Sequence, residues 1–108
     1  MSQETAKAVA ADMAGLVEYQ DGSIVSRRII KGAAGTVTLF AFDIGQSLSE
    51  HTAPFDALVH VLDGSAEITI AGKSSRLEQG HMIIIPAEAP HSVQAVTRFK
   101  MLLTLVRA

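Results

Sequence analysis

A chain of 108 residues has the length of one domain, and an apolar content of 48% is enough for one core without covalent help. Nine basic residues against eleven acidic ones leave a net charge of −2. No long run of one sign occurs, which excludes the basic stripe that a nucleic-acid partner needs. The chain has no cysteine, so disulfides and thiolate ligands are excluded and any metal must be held by nitrogen and oxygen. A reducing cytoplasm is the compartment expected.

The first element spans residues 2–17, where Ala6, Val9, Ala10, Met13 and Val17 recur at intervals of three and four. That spacing predicts a short amphipathic helix, or failing that an arm, packed on the outside of a barrel, with Gly15 weakening its end. Glu4 and Asp12 interrupt its apolar stretch, so it does not read as a secretory leader. No stretch of the sequence approaches the roughly 20 apolar residues of a membrane span. Residues 1–22 are expected to be this helix or arm, and residues 23–108 the body.

From Ser23 onward the chain reads as strands. Ser23–Ile30, Thr36–Phe42, Ala57–Leu62, Ala66–Ala71, Met82–Ile85, Ser92–Ala95 and Phe99–Val106 are rich in Val, Ile, Leu, Phe and Thr, and Ser74–Leu77 is a weaker eighth. Turn chemistry separates them at Gly32-Ala33-Ala34-Gly35, Asp63-Gly64, Ala71-Gly72-Lys73 and Glu78-Gln79-Gly80. Asp63-Gly64 is expected to form a type I′ turn. Short strands at regular spacing, with no crossover helix between them, predict an all-β sandwich or small barrel. One Tyr, four Phe and no Trp leave the core to Val, Ile, Leu, Ala and Met.

Two strands carry apolar residues on both faces. In Ala57–Leu62, Ala57, Val59 and Val61 alternate with Leu58, His60 and Leu62, so burial on both sides is expected. In the last strand Phe99, Met101, Leu103 and Leu105 line one face, and Arg98, Lys100, Leu102, Thr104 and Val106 form a mixed one. An apolar strand at the chain end predicts a covering subunit, hence a homodimer.

The chemistry rests on histidines. Gly45, His51 and Gly64 come first; Gly80, Pro86 and His91 follow. His51 and His91 stand 40 residues apart, each where a turn meets a strand. Two remote imidazoles brought together by a closed sheet are half of a transition-metal site.

These two groups of residues resemble the paired motifs of the cupin superfamily. The family's first motif is glycine, five residues, His-x-His, three or four residues, glutamate, six residues and glycine; Gly45, His51 and Gly64 fall on it. Its second is glycine, five residues, Pro-x-Gly, two residues, histidine, three residues and asparagine; Gly80, Pro86 and His91 fall on that. The resemblance spans Thr36 to Val106 and implies a double-stranded β-helix, or jelly-roll barrel. This sequence departs from the motifs at Ala53, Ala57, Glu88 and Ala95, so of the family's four usual metal ligands only His51 and His91 are present.

A metal would therefore need other donors. Asp56 stands one residue before the lost glutamate, and Gln46 precedes the histidine strand with a neutral oxygen. Glu50 should point away from His51 in a regular strand, and His60 falls on the wrong face unless a bulge reverses it. His81 reads as a turn residue, Met82 and Met101 as core fillers, and Arg27-Arg28 as a solvated edge. Pro86 and Pro90 fix the turn before His91. The resemblance implies a divalent transition metal (iron, manganese, nickel or zinc) held by His51, His91 and one of Asp56 or Gln46, beside a pocket for a small molecule. A ligand-binding or sensor module without metal is the alternative. Neither reading specifies a reaction.

Overall fold

The computed structural model describes residues 5–107. Within them lie nine strands: β1 (Ile24–Gly32), β2 (Gly35–Phe42), β3 (Ser47–His51), β4 (Asp56–Asp63), β5 (Ser65–Ile70), β6 (Lys73–Glu78), β7 (Met82–Ile85), β8 (His91–Ala95) and β9 (Phe99–Val106). A five-stranded sheet of order β1-β2-β9-β4-β7 faces a four-stranded sheet of order β3-β8-β5-β6. Every strand pairing is antiparallel. The fold is all-β, as the strand pattern predicted, and is the jelly roll that the family resemblance implied. Among the described residues, no helix is long and apolar enough to cross a membrane.

Alternation along the strands builds the core between the sheets. Phe42, Val59, Val61, Ile68, Ile85, Phe99 and Met101 are almost completely buried there. Phe42 and Phe99 stack with ring centres 4.5 Å apart. Cross-strand pairing aligns them, since Phe42 stands opposite Phe99 on neighbouring strands.

A second, smaller cluster lies on the outer face of the five-stranded sheet, where Val17, Leu39 and Ala41 pack with Leu16, Tyr19, Val25, Ile29, Leu62 and Leu102. Strand β4 thus meets the interior through Ala57, Val59 and Val61, and the leading arm through Leu62. Hydrogen bonds fasten the arm: Arg27 donates to the Leu16 carbonyl and the Thr5 hydroxyl, each at 3.2 Å. Lys100 donates to the Ala14 carbonyl at 2.7 Å. Tyr19 donates its hydroxyl proton to Asp63 at 2.6 Å and lies under the cations of Arg98 and Lys100. Arg98 in turn is paired with Asp43 at 2.8 Å and Asp21 at 2.6 Å.

Two expectations need correction, and one alternative is resolved. Of the two forms expected for the leading segment, helix or arm, the described part takes the arm: it holds only a 3₁₀ turn, Met13–Leu16, and Ala8 has a positive φ of 61°. Residues 2–4 of the expected helix lie outside the described residues. A short isolated helix is marginal in water, and here Leu16, Val17 and Tyr19 gain more by spreading over the sheet than by coiling. Strand β3 was absent from the expected set, because Ser-Leu-Ser-Glu-His carries no alternation to read. Asp63-Gly64 is not a hairpin turn but a corner, since β4 and β5 belong to different sheets. Gly64 takes φ 73°, and a Cβ there would overlap the Arg98 carbonyl oxygen. The two-residue type I′ turn occurs instead at Ala71-Gly72, with φ of 49° and 82° between β5 and β6.

Candidate metal and ligand site

Strands β3 and β8 bring the two histidines together. Leu48 pairs with Val93 and His51 with His91, so three steps on β3 match two on β8. This irregularity is a bulge, and it decides the chemistry. In a regular strand Leu48 and His51 would face opposite ways. With the extra residue, His51 shares the inward face with Leu48, and Glu50 does not take its place. On β8 the alternation is regular: His91, Val93 and Ala95 are all buried. Across β8 from His51, His91 pairs with Ile70 of β5, so the pair meets an apolar wall formed by Ile70, Leu48 and Val93.

The rings stand with centres 4.3 Å apart, tilted by 59°. His51 is exposed, and His91 is 8% exposed, so the pair sits at the rim of the barrel. Each Nδ1 lies against a backbone carbonyl two residues earlier in the chain: His51 with Ser49 at 2.7 Å and His91 with Ala89 at 2.9 Å. A carbonyl oxygen can only accept, so each Nδ1 donates. With Nδ1 carrying the proton, the lone pair of a neutral imidazole is on Nε2. That is the tautomer a metal-ligating histidine needs, with the outer nitrogen free and the inner one held by the backbone. The hydrogen-bonded Nδ1 atoms leave the two Nε2 atoms as the remaining donors of a ring pair whose centres are 4.3 Å apart. The residues present fit a divalent ion through these two nitrogens.

The other named donors are placed differently. Asp56 opens β4, and one of its carboxylate oxygens accepts the Ala87 backbone N–H at 2.9 Å. It braces the turn that leads into His91. That turn is also tied by the Glu88 N–H to the Ala53 carbonyl at 2.8 Å and by the Ala71 N–H to the Pro90 carbonyl at 2.8 Å. Gln46 lies before β3, at the end away from His51, where its carbonyl accepts from Ala95 at 2.9 Å. His60 is on the outer face of β4, between Leu102 and Met82. The Nδ1 of His81 accepts the Glu78 backbone N–H at 3.0 Å, closing its turn. Among the described residues, no third His, Asp or Glu joins the pair into a metal-binding group. Sequence reasoning missed the bulge and the two orienting carbonyls, since neither leaves a side-chain signature.

Comparison with known proteins agrees with this fold. The model of the cupin domain matches residues 38–106. The chain is similar to the structure of a conserved protein of unknown function from Streptococcus pyogenes, at 35% identity over 96% of this chain and 91% of that one, with a TM-score of 0.92. A cupin superfamily protein from Desulfitobacterium hafniense is similar at 26% identity over 95% and 94%, TM-score 0.90. A cupin 2 conserved barrel domain protein from Leptotrichia buccalis is 42% identical over 87% of this chain but 46% of that one, TM-score 0.85. No protein of curated function matches the sequence. The matched family model covers both histidine motifs and the strands that carry them, and the chain belongs to the cupin family.

Proposed function

We propose that this cupin binds a divalent transition metal through the Nε2 atoms of His51 and His91, at the rim of a barrel that admits a small molecule. The observation that carries this reading is the matched pair of Nδ1–carbonyl hydrogen bonds, which fix both free nitrogens in a ring pair 4.3 Å apart. Two protein nitrogens leave most of an ion's positions to water or to a ligand, so affinity is modest and exchange is easy. A metal bound there supplies Lewis-acid polarisation of a guest's oxygen. The chain's own residues do the rest: Ser49 and Ala89 orient the rings, and Ile70 and Leu48 favour a guest with an apolar portion.

The test is calorimetric titration of chelator-treated protein with Fe(II), Mn(II), Ni(II) and Zn(II), together with its thermal midpoint. At a hundredfold excess over the dissociation constant, binding adds about 2.7 kcal/mol, and the midpoint rises by several degrees. His51→Ala and His91→Ala each abolish that rise. Protein that carries no metal as purified, and whose midpoint ignores every added ion, sinks the reading.

A second reading, a small-molecule binding or sensor module that uses no metal, is favoured by one observation. Asp56, the nearest replacement for the missing carboxylate, has an oxygen engaged by the Ala87 amide. Ligand affinity that survives in a His51→Ala/His91→Ala double variant selects this reading.

A further inference from the structure

Strand β1 has no strand stacked against it. Four short links pass from one sheet to the other: β2 to β3 through residues 43–46, β4 to β5 through Gly64, β6 to β7 through residues 79–81 and β8 to β9 through residues 96–98. They lay the orders β2-β9-β4-β7 and β3-β8-β5-β6 strand upon strand, so β3 lies opposite β2 and β1 overhangs. The inward side of β1 therefore borders the opening beside β3, the strand that carries His51.

That side carries two cations. Arg27 is turned outward to the arm, whereas its neighbour Arg28 stands opposite Thr38, and Lys31 opposite Thr36. The register slips between Arg28 and Ile30. Ile29 joins the outer cluster and Ile30 pairs with outward Val37. This second bulge lets Arg28 and Lys31 share the inward side although they are three residues apart. Both are exposed, and among the described residues neither has a carboxylate as an ion-pair partner.

Two cross-strand rows lead inward from them. One runs Arg28, Thr38, Leu103, Val59 and Ile83; the other runs Lys31, Thr36, Leu105, Ala57 and Ile85. The second row lies at the same end of the barrel as the histidines, since residues 52–55 join His51 to β4 and residues 86–90 join Ile85 to His91. Thr36 and Thr38 bring half-buried hydroxyls between the cations and the apolar floor. One row deeper, Met101 and Val61 are fully buried and close the interior. The accessible space is thus two rows deep, about 7 Å.

We propose that the guest at the rim is a small carboxylic acid, its carboxylate held by Arg28 and Lys31 with the Thr36 and Thr38 hydroxyls. The proposal deepens the rim-site reading above and rests on it for the end of the guest that meets the histidines. Charge-assisted hydrogen bonds to a carboxylate are short and strong, and hydroxyls beside them add donors. Leu103 and Leu105, with Ile70 on the facing sheet, suit a hydrocarbon body rather than a sugar. One sheet spacing and one strand spacing separate β1 from β3, about 11 Å between backbones. An acid whose carboxylate meets Arg28 across that gap has an oxygen a few carbons away beside His51.

The probe is 4-oxopentanoate, with its neutral methyl ester as the matched control, titrated into the full chain by NMR in metal-free and zinc-treated form. The acid should shift the backbone amides of Arg28, Thr36 and Thr38 saturably and bind at least tenfold more tightly than the ester. Arg28→Gln/Lys31→Gln should erase that preference. Arg76→Gln, which removes a guanidinium beside Glu78 on β6, should leave it intact. Equal binding of acid and ester overturns the proposal, as does an unchanged preference in the folded double variant. Saturable shifts confined to other strands, or none in either form, also overturn it. So does inorganic phosphate that binds where the acid does not, which would assign the cations to a phosphate ester. The two readings fail separately. A preference that persists in metal-free His51→Ala/His91→Ala keeps the carboxylate subsite whatever the ions do, and metal binding without any preference keeps only the metal.

Discussion

At the scale of the residue, position 88 tests how faithfully the turn before His91 is kept. The family's motif has glycine there; this chain has Glu88, yet the backbone stays left-handed with φ 68°. A side chain in that region costs about 1–2 kcal/mol. Glu88→Gly removes the strain but returns some entropy to the unfolded chain, for a net gain of about 0.5–1 kcal/mol. The denaturant midpoint should therefore rise at constant slope. Gly64 is the opposite case. Gly64→Ala adds left-handed strain and drives a methyl into the Arg98 carbonyl, so a loss of about 3 kcal/mol or more is expected by the same measurement. Both glycine motif positions were visible in the sequence. That one had lost its glycine without losing its conformation was not, because φ depends on the bonds from Glu88 to Ala53 and from Ala87 to Asp56.

At the scale of the element, the arm is held by charge as much as by apolar contact. The Gly22 amide and the Arg98 guanidinium hold the Asp43 carboxyl at about 2, below its ordinary 3.8. A depressed folded value means that the unfolded chain binds the extra proton first, so this contribution is complete above pH 4 and is lost between pH 4 and 2. Burial and the hydrogen bond to Asp63 push the Tyr19 phenol above its ordinary 10.0. A raised value has the reverse effect: stability is complete below pH 10 and falls as the pH climbs beyond it. Melting profiles should show Asp43→Asn flattening the acid limb and Tyr19→Phe flattening the alkaline one. Little of this was legible beforehand. The spacing of Ala6, Val9, Ala10, Met13 and Val17 suits a helix, but the local preference loses to Val17 packing on Leu39 and Ala41. Strand β3 was hidden for the converse reason: its pairing with β8 needs no apolar pattern of its own.

At the scale of the whole molecule, the barrel was readable because its inner residues alternate strictly. Ala57, Val59 and Val61 on β4 and Phe99 and Met101 on β9 are buried as their spacing requires. Single substitutions there should cost most. Ile68→Ala empties a fully buried site and should lose about 2–5 kcal/mol in equilibrium denaturation. The meeting of His51 and His91 was readable only from order and spacing. What those could not supply is the bulge that turns His51 inward, because one extra residue changes every facing beyond it. The second apolar face of β4 was also foreseen, and the arm's cluster reaches it at Leu62.

Strand β3 borders its sheet and bonds on one side only, to β8. It sends one large apolar side chain, Leu48, into the interior. His91 lies on β8, between two neighbouring strands; His51 lies on the edge strand. Edge pairing leaves β3 with a single hydrogen-bonded neighbour to hold it. Backbone amides of Ser49 and Glu50 should exchange with deuterium far sooner than those of Val93, and occupancy of the pair should slow them selectively.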